Sequence, residues 1–219
     1  MLKIYGVYRS RATRPLWILE EIGMPFEHVP VIQAYKLSDP HAPDARLNSR
    51  SPEYLAVNPM GAIPAAEDNG LVLWESLAIT LYLAKKYGGA LGPSSVEEDA
   101  QMTQWSLFAA TEIESNALKI LTVINEGRAT TEAGQAELQA LARLLDRPFR
   151  VLEQHFGQTE YAVAGRFTAA DINIAEVVRY AFAYTPFAER YGHLAAWLKR
   201  CQQRPGYQAM WAKREAEVE

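Results

Sequence analysis

A single cysteine in 219 residues, Cys201, leaves no partner for an internal disulfide or a Cys-x-x-Cys redox pair. The four histidines, His28, His41, His155 and His193, show no metal-ligand spacing, so no metal is expected. No glycine-rich phosphate loop is present. The formal net charge is -4, which leaves no broad basic face for nucleic acid. No apolar run reaches the roughly 20 residues that span a bilayer. Met1-Leu2-Lys3-Ile4 enters a strand pattern directly, without the layout of a signal peptide. The expected setting is the cytoplasm. What the chain does have is core-forming material: 49% of its residues are hydrophobic, enough for one large domain or two small ones.

Local patterns divide the chain. Leu2 to Val7 reads as a buried strand, Ser10 to Ile22 as a helix stopped by Gly23, and Phe26 to Val31 as a second strand. Residues 34–57, with Pro40, Pro43 and Pro52, read as an irregular connection holding one short helix at Pro52 to Leu55. Pro64 to Glu67 and Leu71 to Leu73 form a hairpin around Asp68-Asn69-Gly70, because Asn-Gly supplies the positive φ values that such turns need. A helix follows from Ser76 to Tyr87. Gly88-Gly89 stops it, and Gly92-Pro93-Ser94-Ser95 marks a linker. Beyond Val96 the patterns are helical only. One helix opens on a Ser95/Glu98 capping box and runs to about Ile124. A second spans Glu132 to Phe156 around Pro148, and others start at Thr168, near His193 and near Tyr207. The expected domains are 1–87, a linker 88–95 and an all-helical domain 96–219.

Two elements flanking the hairpin suit a peptide ligand. Pro64 closes a short loop and opens a strand, the usual setting for a cis X-Pro bond. That geometry would turn the backbone N–H and C=O of Ile63 outward toward an extended peptide. Glu75-Ser76 opens the next helix, where free N–H groups and a hydroxyl suit a carboxylate.

In this order the segments resemble the glutathione site of the cytosolic glutathione transferase family. The resemblance implies an α/β thioredoxin-like N-terminal domain and an all-α helical-bundle C-terminal domain. It also implies that Ile63, beside Pro64, pairs with the cysteinyl part of glutathione and that Glu75 and Ser76 bind the γ-glutamyl end. Thr168-Ala169-Ala170-Asp171 resembles the family's helix-capping box, a folding element rather than a catalytic one. Ser10-Arg11-Ala12 resembles a Ser-Arg-Ala motif of a bacterial and fungal branch.

Glutathione chemistry needs a thiolate, and a free thiol with a pKa near ~8.5 supplies little of it at neutral pH. A hydroxyl aimed at sulfur from a helix start stabilises the anion. Ser10 is the first choice for that donor, and a plain helix cap is its alternative role. Tyr5, at the end of the first strand, is the rival. Arg11 stands beside the expected thiolate. The position before Ile63-Pro64, often cationic or Gln in relatives, is Ala62, so Lys36 or Arg50 is expected to hold the glycyl carboxylate. Tyr8, Trp105, Phe108 and Thr111 are candidates for an acceptor pocket, expected between the domains. The resemblance implies a homodimer and a small electrophilic, apolar acceptor. Peroxidase, disulfide reductase, dehalogenase or isomerase chemistry with the same thiolate is the alternative, as is glutathione binding without turnover.

Overall fold

A computed structural model describes residues 1–217. It divides into two units, Met1–Gly89 joined by residues from Pro205 onward, and Ala90–Arg204.

The first unit is built on a four-stranded sheet of order β2-β1-β3-β4. Its strands are β1 (Lys3–Tyr5), β2 (Glu27–Val29), β3 (Ala65–Asp68) and β4 (Leu71–Trp74). β1 runs parallel to β2 and antiparallel to β3, and β3 and β4 form the expected hairpin. Asn69 and Gly70 take φ values of 51° and 86° at its turn, as Asn-Gly predicts. Strand alternation sorts the core into two faces. Ile4 is fully buried, as are Leu16, Ile18, Ile79 and Leu83 on helices α1 (Thr13–Ile22) and α3 (Ser76–Tyr87). Tyr5 points to the other face. There it clusters with Val31, Ala65 and Tyr54 of the short helix α2 (Pro52–Leu55), with Leu47, Val57 and Ile63 packed around them.

Asp68 holds the turn of the hairpin. One of its oxygens accepts bonds of 2.7 Å from Tyr82, Lys86 and Tyr87. Burial pushes this carboxyl up, but the three donors outweigh it and hold the group at about 2.

The connection 37–51, without periodicity in the sequence, is stapled by one residue. Asn48 is fully buried, and its side chain donates to the carbonyls of Pro40 and Arg46 and accepts the N–H of Arg50. This satisfies loop backbone that has no ladder to join.

The second unit is helical. Val96–Phe108 (α4) opens on Ser95, whose hydroxyl accepts the Glu98 N–H at 3.2 Å. The long helix expected to about Ile124 is interrupted by a π-helical stretch, Ala109–Glu114, before α5 (Ser115–Asn125). A π turn adds one residue per hydrogen-bonded ring, and hydrophobic periodicity does not signal it. α6 (Glu132–Phe156) carries Pro148 within it. α7 (Ala169–Ala181) starts on the Thr168 capping box, and α8 (Pro186–Arg190) and α9 (Gly192–Gln202) follow. α8 is not signalled by the sequence pattern. Its five residues span little more than one turn, too short to show a period.

Two boundaries differ from those expected. Residues from Ala90 onward group with the helical unit, because Arg166 donates to the carbonyls of Ala90 and Gly92 and pairs with Glu98 at 2.6 Å. The last helix, α10 (Pro205–Ala216), groups with the first unit rather than with a domain 96–219. Tyr207 packs edge-on against buried Trp17 of α1 at 4.8 Å.

No helix among the described residues is long and apolar enough to cross a membrane.

Candidate functional site

Strand register gathers four segments at one end of the sheet. Tyr5 pairs with Ala65 and with Val29, and Ala65 pairs with Trp74. Whatever follows Tyr5, precedes Ala65, follows Trp74 or follows Val29 therefore leaves the sheet at the same edge. These are the loop 6–12, Ile63-Pro64, Glu75-Ser76 and the segment leading to Lys36. Gly6 shows how closely two of them meet. A Cβ on Gly6 would lie 3.1 Å from that of Ala12, 3.5 Å from that of Ile63 and 3.7 Å from Pro64 Cα. With φ at 139°, the position suits glycine alone.

The Ile63–Pro64 peptide is cis. The preceding carbonyl, of Ala62, accepts bonds from the Tyr54 hydroxyl and from Asn58 Nδ2, the latter at 2.7 Å. Tyr54 and Asn58 thus orient the peptide leading into Ile63. Neither stands out as functional in the sequence. The only local signal is the turn-forming Asn58-Pro59.

Glu75 is exposed and has a φ of 71° as the cap residue of α3. A non-glycine residue in this region costs on the order of 1–3 kcal/mol and survives where the surroundings enforce it. The strained residue adjoins the N-terminus of a 12-residue helix, where the backbone N–H groups point out of the helix. Ser76 is buried, and its Oγ accepts from Arg14 Nη1 at 2.7 Å. Arg14 is itself 1% exposed. A guanidinium has only donors, so this bond occupies a lone pair of Ser76 and leaves its hydroxyl proton for an acceptor. The site therefore rests on a buried cation beside a helix N-terminus, an arrangement that favours an anion. The sequence pattern assigns Arg14 no role, because its partner Ser76 lies 62 positions away.

The first loop carries Ser10, which is half-buried. Its Oγ donates to the Val7 carbonyl at 2.6 Å and accepts the Ala12 N–H at 3.0 Å. The bonds belong to the turn that enters α1, which begins at Thr13 rather than at Ser10. Arg11 beside it is exposed.

Tyr5 is placed differently. Its hydroxyl donates to Glu67 at 3.0 Å on the face covered by α2. Burial, with the Glu67 bond and charge, pushes it up to about 12. Tyr8 is buried edge-on to His28, with ring centroids 5.1 Å apart. Burial and the charges of Glu20 and Glu217 push it up to about 12 as well. Lys36 and Arg50 are exposed.

In the second unit, Phe108 and Thr111 line a groove of about 880 Å³ with Leu107, Pro148 and Val151. Trp105 is not in its lining and packs instead against His155, at 4.6 Å, and Phe108. Cys201 is fully buried in α9. No group of three or more metal-ligating side chains is gathered among the described residues.

The family model described as the glutathione S-transferase N-terminal domain matches residues 8–86, and that of the C-terminal domain matches residues 101–205. Glutathione S-transferase 3 of Zea mays is 30% identical, over 94% of this chain and 91% of its own length. The probable glutathione S-transferase GSTF1 of Oryza sativa is 28% identical, over 96% and 95% respectively. Among solved structures, glutathione S-transferase I from maize, in complex with an atrazine glutathione conjugate, superposes with a TM-score of 0.80. It is 28% identical, with 99% of each chain covered.

Proposed function

The chain belongs to the glutathione S-transferase family, and on that premise we propose that it binds glutathione in its first unit and ionises the thiol for attack on a small, apolar electrophile. The observation that carries this reading is the register that brings Ser10, Ile63-Pro64 and Glu75-Ser76 to one end of the sheet. Ile63 pairs with the cysteinyl backbone. Ser76 and the α3 N-terminus, backed by Arg14, hold the γ-glutamyl carboxylate. The glycyl carboxylate falls to Lys36 or Arg50. Ser10 donates to the sulfur, with Arg11 alongside. Tyr5 is set aside as donor, because its proton is committed to Glu67 and burial opposes its ionisation. The Ser10-Arg11-Ala12 motif supports a place in the Ser-Arg-Ala branch of the family.

Holding glutathione as thiolate beside an acceptor lowers the barrier by proximity and by charge stabilisation. Glutathione titrated into the protein is expected to show thiolate absorbance at neutral pH, with an apparent thiol pKa at least one unit below the free value of ~8.5. Binding without ionisation would leave a non-catalytic binding protein, and no binding would sink the reading. Rates with aryl halides, hydroperoxides and mixed disulfides then separate transfer from peroxidase or reductase chemistry.

The first unit also supports a homodimer. Edge strand β4 exposes Leu71, Val72 and Trp74, at 43%, 40% and 45%. An edge with such side chains is a pairing surface unless covered. Sedimentation is expected to give twice the 24.5 kDa chain mass, and Trp74→Glu is expected to shift the species toward monomer. A monomeric wild type would refute the assignment.

A further inference from the structure

The end of α10 grips the loop that carries Ser10. Lys213 pairs with Glu20 of α1, and Tyr207 rests on Trp17. Just past the helix, the two carboxylate oxygens of Glu217 accept the N–H groups of Tyr8 and Arg9, each at 2.9 Å. Arg214 Nη1 donates to the Tyr8 carbonyl at 2.6 Å, and Arg9 Nε returns a bond to the Arg214 carbonyl at 3.3 Å.

These contacts act on two successive peptide planes. The first joins the Val7 carbonyl to the Tyr8 N–H. Glu217 holds its N–H side, and its carbonyl is the acceptor of the Ser10 hydroxyl. The second joins the Tyr8 carbonyl, held by Arg214, to the Arg9 N–H, held by Glu217. A peptide unit is rigid, so fixing one side fixes the other. The tail therefore sets the two planes that lead into the Arg9–Ser10 peptide, and through the Val7 carbonyl it sets the acceptor of the Ser10 hydroxyl. Bonds with one charged partner are stronger than neutral ones, and a two-point carboxylate contact adds direction.

We propose that Glu217 and Arg214 are positioning residues for thiol activation, clamping the peptide planes that place the Ser10 hydroxyl. The inference rests on the reading of Ser10 as the thiolate's donor. A hydrogen bond weakens steeply with distance and angle, and a misplacement of about 1 Å near a reacting centre can cost up to about 100-fold. Release of the clamp is expected to act on ionisation of bound glutathione rather than on its affinity, because the contacts at Ile63 and Ser76 are untouched.

The test is the thiolate titration with pH-rate profiles on wild type, Glu217→Ala, Arg214→Ala, Ser10→Ala and Lys213→Ala. Glu217→Ala is expected to raise the bound thiol's pKa by about one unit, a tenfold change in ionisation equilibrium. The kcat at neutral pH should fall about tenfold and recover at alkaline pH, with KM for glutathione changed less than about twofold. Arg214→Ala is expected to shift the thiol pKa in the same direction. Lys213→Ala loosens the same helix without touching the loop, so it should lower Tm and leave the thiol pKa alone. Should Glu217→Ala fail to fold, Glu217→Gln retains the side-chain length and one acceptor for the same reading. A wild-type thiol pKa in the Glu217 variants, with Ser10→Ala shifted, would overturn the clamp while leaving the function intact. Higher activity in Glu217→Ala would overturn it too, making the carboxylate a competitor. An unshifted thiol in wild type would sink the functional reading and the clamp with it.

Discussion

Ser10→Ala is expected to return the thiol of bound glutathione to about 8.5 and to cut kcat/KM by about 100-fold, with KM for glutathione little changed. The magnitude follows from which bonds compete for the hydroxyl proton. In the structure Ser10 donates to a neutral carbonyl, that of Val7. A neutral hydrogen bond contributes about 0.5–1.5 kcal/mol net, whereas one to a charged group contributes about 1.5–3 kcal/mol. A thiolate within reach therefore outcompetes the Val7 carbonyl. The Ala12 N–H, donating to the same oxygen, can remain in place as the hydroxyl turns. Losing a charge-assisted bond of that size corresponds to roughly one to two pKa units. At neutral pH that shift lowers the thiolate fraction of the bound complex, so the loss appears in kcat rather than in KM.

The same substitution removes a turn bond next to α1, so about 1 kcal/mol of stability is expected to go with it. Thermal unfolding measured alongside separates this loss from the chemical one. Tyr5→Phe is the control. Its lost bond is to Glu67, on the face of the sheet covered by α2, and it should leave the thiol titration unchanged. A thiol pKa that moved in Tyr5→Phe and stayed put in Ser10→Ala would transfer the donor role to the strand.

How much of this was legible in the sequence depended on how local the physics is. The Asn69-Gly70 turn and the Ser76–Tyr87 helix were legible because a positive φ, an amphipathic period and a glycine stop are each set within a few residues. The choice between Ser10 and Tyr5 was not. The two lie five positions apart, and only the pairing of Tyr5 with Ala65 shows that Tyr5 faces Glu67 and Tyr54. The supports of the site are more remote still. Arg14 meets Ser76 across 62 positions, and Glu217 meets Tyr8 across 209. No periodicity links such partners, and a charged residue read alone is assigned to solvent. Glu75 stands out in the sequence for its side chain. Its positive φ, a product of the strand before it and the helix after it, is a backbone property that its residue type argues against.

Asp171 is where the helical unit is expected to be most sensitive, and its isosteric replacement should be among the most damaging. The carboxyl is fully buried. One oxygen accepts the Ala162 N–H at 2.9 Å and Trp197 Nε1 at 3.0 Å. The other accepts the Thr168 N–H at 2.9 Å and the Thr168 hydroxyl at 3.2 Å. Asp171→Asn preserves shape, yet its NH2 group must face a pair of donors whichever way the amide turns. Thr168 can rotate its hydroxyl away, but a backbone or indole N–H cannot. The expected cost is about 2–4 kcal/mol, the scale of an unsatisfied buried group plus a lost cap. That is a large share of the roughly 5–15 kcal/mol that holds a typical domain folded. The pH dependence gives the check. Burial raises this carboxyl and outweighs its four hydrogen bonds, placing it at about 6 against 3.8 for the ordinary group. Between those values the folded state binds more protons than the unfolded one, so acidification from pH 7 toward 4 adds stability through this group. A carboxamide in its place cannot take up that proton. The gap in unfolding free energy between wild type and Asp171→Asn, measured in urea at several pH values, should therefore widen as pH falls through 6. A gap that narrowed over the same range would mean that the folded carboxyl is held ionised by its donors, with a pKa below the unfolded value.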